Sequence, residues 1–210
     1  MTLLYHRLMT PNWLDQNATF NCQRTVQDLE LQISTDSSKY ENIFKVPLLK
    51  RGVLKSGQSD VTIRIKVGIV LPEPARPRRD PILFMASDGN KFAMGFQLRN
   101  PSESDYTTKG PYYGVDGEPG RILRNYAKRS TDVPVRERVN PDQFEILLKP
   151  SDYWGSIYSA LDGGHKLNTT FASTLNLSNG LWLDVYRVDV VETYIINYVE
   201  VTVYEDSPKC

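Results

Sequence analysis

The sequence predicts an all-β protein, an antiparallel two-sheet sandwich, on three observations. The first is Val61-Thr62-Ile63-Arg64-Ile65-Lys66-Val67-Gly68-Ile69, where every odd position is β-branched and every even one is polar or glycine. A strand turns alternate side chains to opposite faces, so this segment has one face in a core and one in water. The second is Ser87-Asp88-Gly89-Asn90, an Asp-Gly turn between the apolar runs Ile82–Ala86 and Phe92–Leu98. Asp-Gly supplies the positive φ angles that a tight hairpin needs. The third is composition: Tyr is used 12 times against 7 Phe and 3 Trp. Tyr, Thr and Val suit a pleated, half-buried surface.

The other elements follow in order. Residues 1–20 are polar and mixed and read as a peripheral N-terminal arm of a domain spanning residues 1–210. Leu29, Leu31 and Ile33 alternate and predict a strand in Thr25–Ile33. Phe44–Leu49 is a short apolar strand before the turn Lys50-Arg51-Gly52. Leu71–Pro81 holds four prolines, which cannot donate to a ladder, and reads as a loop. Residues 100–142, rich in Gly and Pro, are the least regular stretch. Regularity returns with Phe144–Leu148, Trp154–Leu161 and Thr169–Leu177. Leu181–Val190 and Tyr194–Tyr204 close the chain. In the last, Val199, Val201 and Val203 share one face, and Tyr198, Glu200, Thr202 and Tyr204 the other. The pattern is roughly ten or more short strands with turns between them and no long helix, which means a sandwich or barrel.

Charge narrows the function. Lys plus Arg and Asp plus Glu are 25 each, so there is no basic excess to hold nucleic acid non-specifically. Ala75-Arg76-Pro77-Arg78-Arg79 is the densest basic stretch and reads as a solvated loop. No apolar run approaches the roughly 20 residues of a membrane-spanning helix. Leu3, Leu4 and Leu8 are interrupted by Tyr5, His6 and Arg7, so the N-terminus does not read as a signal peptide.

Cys22 and Cys210 lie near opposite ends of the chain. First and last strands of a sandwich often pair, so a disulfide tying the termini is one reading and two free thiols the other. Asn17, Asn168 and Asn176 each begin an Asn-x-Ser/Thr acceptor triplet. Together these features predict an oxidising, extracellular or cell-surface location.

Phe92–Leu98 (FAMGFQL) and Thr170–Tyr204 (TFASTLNLSNGLWLDVYRVDVVETYIINYVEVTVY) carry a resemblance over the last half of the chain. An Asn-Gly turn, a strand rich in Leu, Trp and Val, and a final VEVTVY strand resemble the concanavalin-type jelly-roll superfamily. That group holds legume-type lectins, laminin-G-like modules, pentraxins and glycan-cleaving enzymes. The resemblance implies a jelly roll and, first among its activities, lectin-like glycan binding.

Catalysis is not expected. Arg187-x-Asp189-x-x-Glu192 is similar to the Glu-x-Asp-x-x-Glu strand of retaining jelly-roll glucanases, but arginine stands where the nucleophile should be. Retention needs two carboxyl groups about 5 Å apart. His6 and His165 are the only histidines available to a Ser-His-Asp triad. No cofactor is expected. Calcium, which takes six to eight oxygens, has Asp88, Asn90, Asp116, Glu118 and Asp162 as candidates, and each also reads as an ordinary turn residue.

For binding, Tyr106, Tyr112 and Tyr113 share one irregular stretch with Asp116 and Arg121. Rings stack on the C–H faces of sugars and charged groups hydrogen-bond their hydroxyls. Tyr112 and Tyr113 are the expected stacking residues, and Lys91, Gln97, Tyr198 and Thr202 form the alternative face. The same composition suits a protein interface, and rings that cap a core edge would look alike. The expected partner is a glycan, then a cell-surface protein, with a polysaccharide-active enzyme as the third reading.

Overall fold

The computed structural model describes all residues except 35–40, 56–57, 59, 71–77, 90–91, 101–106, 114–132, 135–141, 153, 160–165, 171–174, 188–192 and 207–210. Its elements are β1 (Thr2–Met9), α1 (Pro11–Asn17), β2 (Thr19–Phe20), β3 (Gln23–Gln27), β4 (Glu30–Ser34), β5 (Glu41–Leu49), β6 (Val61–Val70), β7 (Arg78–Ser87) and β8 (Phe92–Asn100). There follow β9 (Thr107–Tyr113), β10 (Val133–Pro134), β11 (Asp142–Lys149), β12 (Trp154–Ser159), β13 (Lys166–Thr170), β14 (Leu181–Arg187) and β15 (Thr193–Glu205). Among the described residues they form two antiparallel sheets. One runs β13-β12-β11-β6-β15-β4-β3, with β1 also on β15; the other runs β10-β9-β8-β7-β14-β5-β2.

The alternation in the sequence decides which faces meet. Val61, Ile63, Ile65, Val67 and Ile69 on β6 and Val199, Val201 and Val203 on β15 are buried against the inner face of the second sheet. That sheet contributes Phe44, Val46, Phe84, Ala86, Leu183 and Val185 to the same core. Interleaving two apolar inner faces is what removes both from water.

Several sequence expectations are corrected. Residues 1–20 are not a peripheral arm: β1 pairs with β15 from Thr2↔Glu205 to Met9↔Val199, and Met9 and Leu14 are fully buried. Thr10 caps the short helix and Pro11 opens it, because proline lacks only an N–H the first turn leaves unused. Thr25–Ile33 is a hairpin rather than one strand, turning at Asp28 and Leu29, both with positive φ. Strand β7 begins at Arg78, inside the expected loop, and its pairing with β8 is irregular between Arg78 and Ile82, where Pro81 falls. Thr107–Tyr113 is a strand, not irregular chain. The strand expected over Thr169–Leu177 does not reach Leu177, which opens a turn of 3-10 helix, Leu177–Asn179, at the expected Asn179-Gly180 turn.

The first and last strands are neighbours, as expected. Cys22 precedes β3, whose Gln23 pairs with Ser34, itself opposite Thr193 at the start of β15. The chain leaves β15 at Glu205, at the other end, about 40 Å of strand away. Cys210 lies outside the described residues. Cys22 Sγ donates to the Ile43 carbonyl at 3.2 Å. Burial pushes its thiol up to about 11, with Arg24 pulling the other way.

Candidate functional site

The outer face of the seven-stranded sheet carries the polar residues that the core rejects. On β14, Leu181, Leu183 and Val185 enter the core, so the pleat turns Trp182, Asp184 and Tyr186 outward. Asp184 is opposite Lys45 on β5 and Met85 on β7, and Trp182 is opposite Pro47 and Ser87.

Asp184 is the centre of this face, with only 2% of its surface exposed. It accepts from Asn42 Nδ2 at 2.9 Å and from the Ser87 hydroxyl. Lys45 Nζ lies 3.6 Å from its Oδ1. A buried carboxylate is tolerated when its lone pairs are occupied in this way. Burial and the neighbouring Asp184 charge hold the Tyr186 phenol well above its ordinary range, against a hydrogen bond from Asn42.

Lys45 also sits over the Trp182 ring, 5.1 Å from its centroid. Trp182 is half-buried, and two glycines make its seat. A Cβ on Gly180 would come within 2.9 Å of the ring and 2.8 Å of the Leu49 carbonyl; one on Gly89 would come within 3.1 Å of the ring. Both glycines have positive φ, a conformation that costs glycine little. The buried Asp88 carboxylate accepts from the Asn176 amide at 2.8 Å, tying the β7–β8 hairpin to the turn before β14. Ser178 Oγ donates to Asn176 Oδ1 at 2.6 Å, and the Gly52 amide donates to the Ser178 carbonyl at 3.0 Å. Three loops therefore converge around one tryptophan.

The expected site residues are placed unevenly. Tyr112 pairs with Gly95, Gly95 with Met85, and Met85 with Asp184, so Tyr112 shares a cross-strand row with Asp184 and Lys45. Tyr113 pairs with Met94 in the next row, whose described members Ala86 and Leu183 belong to the core. Tyr106, Asp116 and Arg121 lie outside the described residues, as do Glu118, Asp162, His165, Asp189, Glu192, Asn90 and Lys91. The alternative face divides: Gln97 is on β8, while Tyr198 and Thr202 are on β15 of the other sheet. Arg187 ends β14 opposite Glu41 and Ile82.

Among the acceptor triplets, Asn17 and Asn176 are exposed, and Asn168 is on β13 opposite Ser156. His6 lies on β1, with Nε2 2.8 Å from Glu200 Oε1. Among the described residues no group of His, Cys, Asp and Glu has the arrangement of a metal site, and no helix is long and apolar enough to cross a membrane. Sequence reasoning missed Trp182, Asp184 and Lys45. The available signal was Leu-Trp-Leu-Asp-Val-Tyr, an alternation whose outward members are aromatic and acidic rather than simply soluble.

No protein-family model matches the chain, and no curated protein matches its sequence. Solved structures do match its fold. The legume lectin-like domain from Entamoeba histolytica aligns at TM-score 0.56 with 11% identity, over 94% of this chain and 93% of that one. The CBM2 module of the evolved Dit of Lactobacillus casei BL23 phage J-1 aligns at 0.55 with 9% identity, over 100% and 98%. A carbohydrate esterase from the Shiga toxin-encoding bacteriophage phi24B aligns at 0.52 with 12% identity, over 98% and 99%. The chain therefore has the concanavalin-like jelly-roll fold shared by lectin-like domains.

Proposed function

We propose that this protein is an extracellular recognition domain that binds glycans without catalysis, at the Trp182 end of the seven-stranded sheet. The observation that carries the reading is Trp182, half-buried, seated against Gly89 and Gly180 beneath Lys45. An indole face fixed at a loop-lined rim stacks on the apolar face of a pyranose. Exposed Asn176, in the turn before β14, offers its side-chain N–H groups to the sugar hydroxyls. Likeness to lectin-like and carbohydrate-binding modules supports the reading at the level of fold, which hosts several functions.

Calorimetric titration with an oligosaccharide panel tests it. Binding that Trp182→Ala removes while the thermal midpoint stays near its original value is the expected result. Retained binding would move the site; binding to a deglycosylated protein partner alone would favour an adhesion domain. The likeness to a phage carbohydrate esterase motivates one further arm. Release of acetate from an acetylated glycan, lost in Ser87→Ala, would replace binding by hydrolysis.

A further inference from the structure

The charges around Trp182 narrow the ligand class. At this rim the acidic groups are withdrawn from solvent and the basic ones are not. Asp184 and Asp88 are 2% and 3% exposed, and both carboxylates are already engaged, by Lys45, Ser87 and Asn42 in one case and by the Asn176 amide in the other. Lys45 keeps 34% of its side chain in water. Lys50 and Arg51 are exposed. Their turn closes through Val53 N to the Lys50 carbonyl at 3.2 Å. It is fastened to the Trp182 seat by Gly52 N to Ser178 O and by the close approach of Leu49 O to Gly180. Neither Lys50 nor Arg51 forms an ion pair among the described residues. Among the described residues the other acidic groups at this end, Asp60, Asp152, Glu205 and Asp206, flank β6, β11 and β15 of the opposite sheet.

We infer that the Trp182 rim selects acidic saccharides, with the sugar ring on the indole and its anionic group among Lys45, Lys50 and Arg51. This rests on the glycan-binding reading and adds the substrate class to it. A neutral sugar would leave Lys50 and Arg51 without an ionic partner, whereas a carboxylate or phosphate accepts charge-assisted hydrogen bonds from them and from Lys45. Arginine in particular pairs with either anion through two parallel N–H groups.

The experiment compares charged saccharides with their neutral twins: an oligogalacturonate against its methyl ester, and a phosphorylated oligomannose against the unphosphorylated one. The acidic member of at least one pair should bind roughly tenfold more tightly than its twin, the value of one charge-assisted bond. Whichever pair shows the preference identifies carboxylate or phosphate as the recognised group. The preference should shrink as salt rises from about 0.05 to about 0.5 M. Arg51→Gln should reduce it and leave the neutral twin's affinity unchanged, and Lys45→Gln should reduce it as well. Arg51 is on an exposed turn, so its variant tests the idea even where Lys45→Gln unsettles Asp184. Equal affinity for both twins, with binding still lost in Trp182→Ala, would overturn the acidic class and keep the glycan site. No binding of any saccharide would overturn both.

Discussion

On the outer face of the eight-stranded sheet, Glu200 meets His6 at 2.8 Å and Lys66 at 3.7 Å, and its side chain is 23% exposed. On the outer face of the seven-stranded sheet, Asp184 meets Lys45 at 3.6 Å with its side chain 3% exposed. The residue types are the same and the distances are similar, but the surroundings differ. Glu200 keeps water as an alternative partner, and exposed pairs are worth little. Among the described residues Asp184 has Asn42, Ser87 and Lys45 as partners, and buried as it is, it needs each of them. One face is a solvated surface and the other a fixed polar framework that holds Lys45 over Trp182.

Substitutions should separate the two faces, beginning with the largest effect. Asp184→Ala strands Lys45, Asn42 and Ser87 and should cost about 3 kcal/mol in urea denaturation; a loss near that of Glu200→Ala would erase the distinction. Gly180→Ala should cost about 2 kcal/mol, because its φ of 115° strains any side chain and the new Cβ meets backbone at Leu49. The same variant should weaken saccharide binding by displacing the Trp182 ring. On the other sheet, Gly68→Ala brings a Cβ into the Tyr198 ring and should cost about 1 kcal/mol in the same assay.

Alkali provides a probe of burial that needs no substitution. The native fold keeps the Cys22 thiol protonated up to about 11, against an ordinary value of 9.0, and keeps Tyr186 protonated beyond its own ordinary range. The unfolded chain loses these protons first, so it binds fewer than the native state, and stability must fall as pH climbs from about 9 towards 11. Cys22→Ser should flatten the lower part of that fall and Tyr186→Phe the upper part, read as denaturation midpoints across the pH series. The smallest effect belongs to the solvated face: Glu200→Ala should cost less than about 1 kcal/mol, and less again in high salt.

Local chemistry made much of the fold legible. The alternation in Val61–Ile69 and Val199–Val203 named core residues that are all buried, because period-two patterning is written into neighbouring positions. The Asp88-Gly89 turn and the closing strands were readable for the same reason. The Asp28–Leu29 turn was not: both residues adopt positive φ without glycine, so the usual cue is missing.

The site depended on longer distances. The sequence by itself determined an alternating, two-faced strand at Leu181–Arg187 with Trp182, Asp184 and Tyr186 on one side, since the pleat requires it. Only the tertiary structure decided that this side would become a buried polar framework. Ser87 and Asn42 reach Asp184 from 97 and 142 positions away, and Lys45 and the Gly180 seat arrive through separate strands and turns. A side chain's face is fixed by its nearest neighbours, whereas its burial, partners and charge environment are fixed by which strands the sheet places beside it.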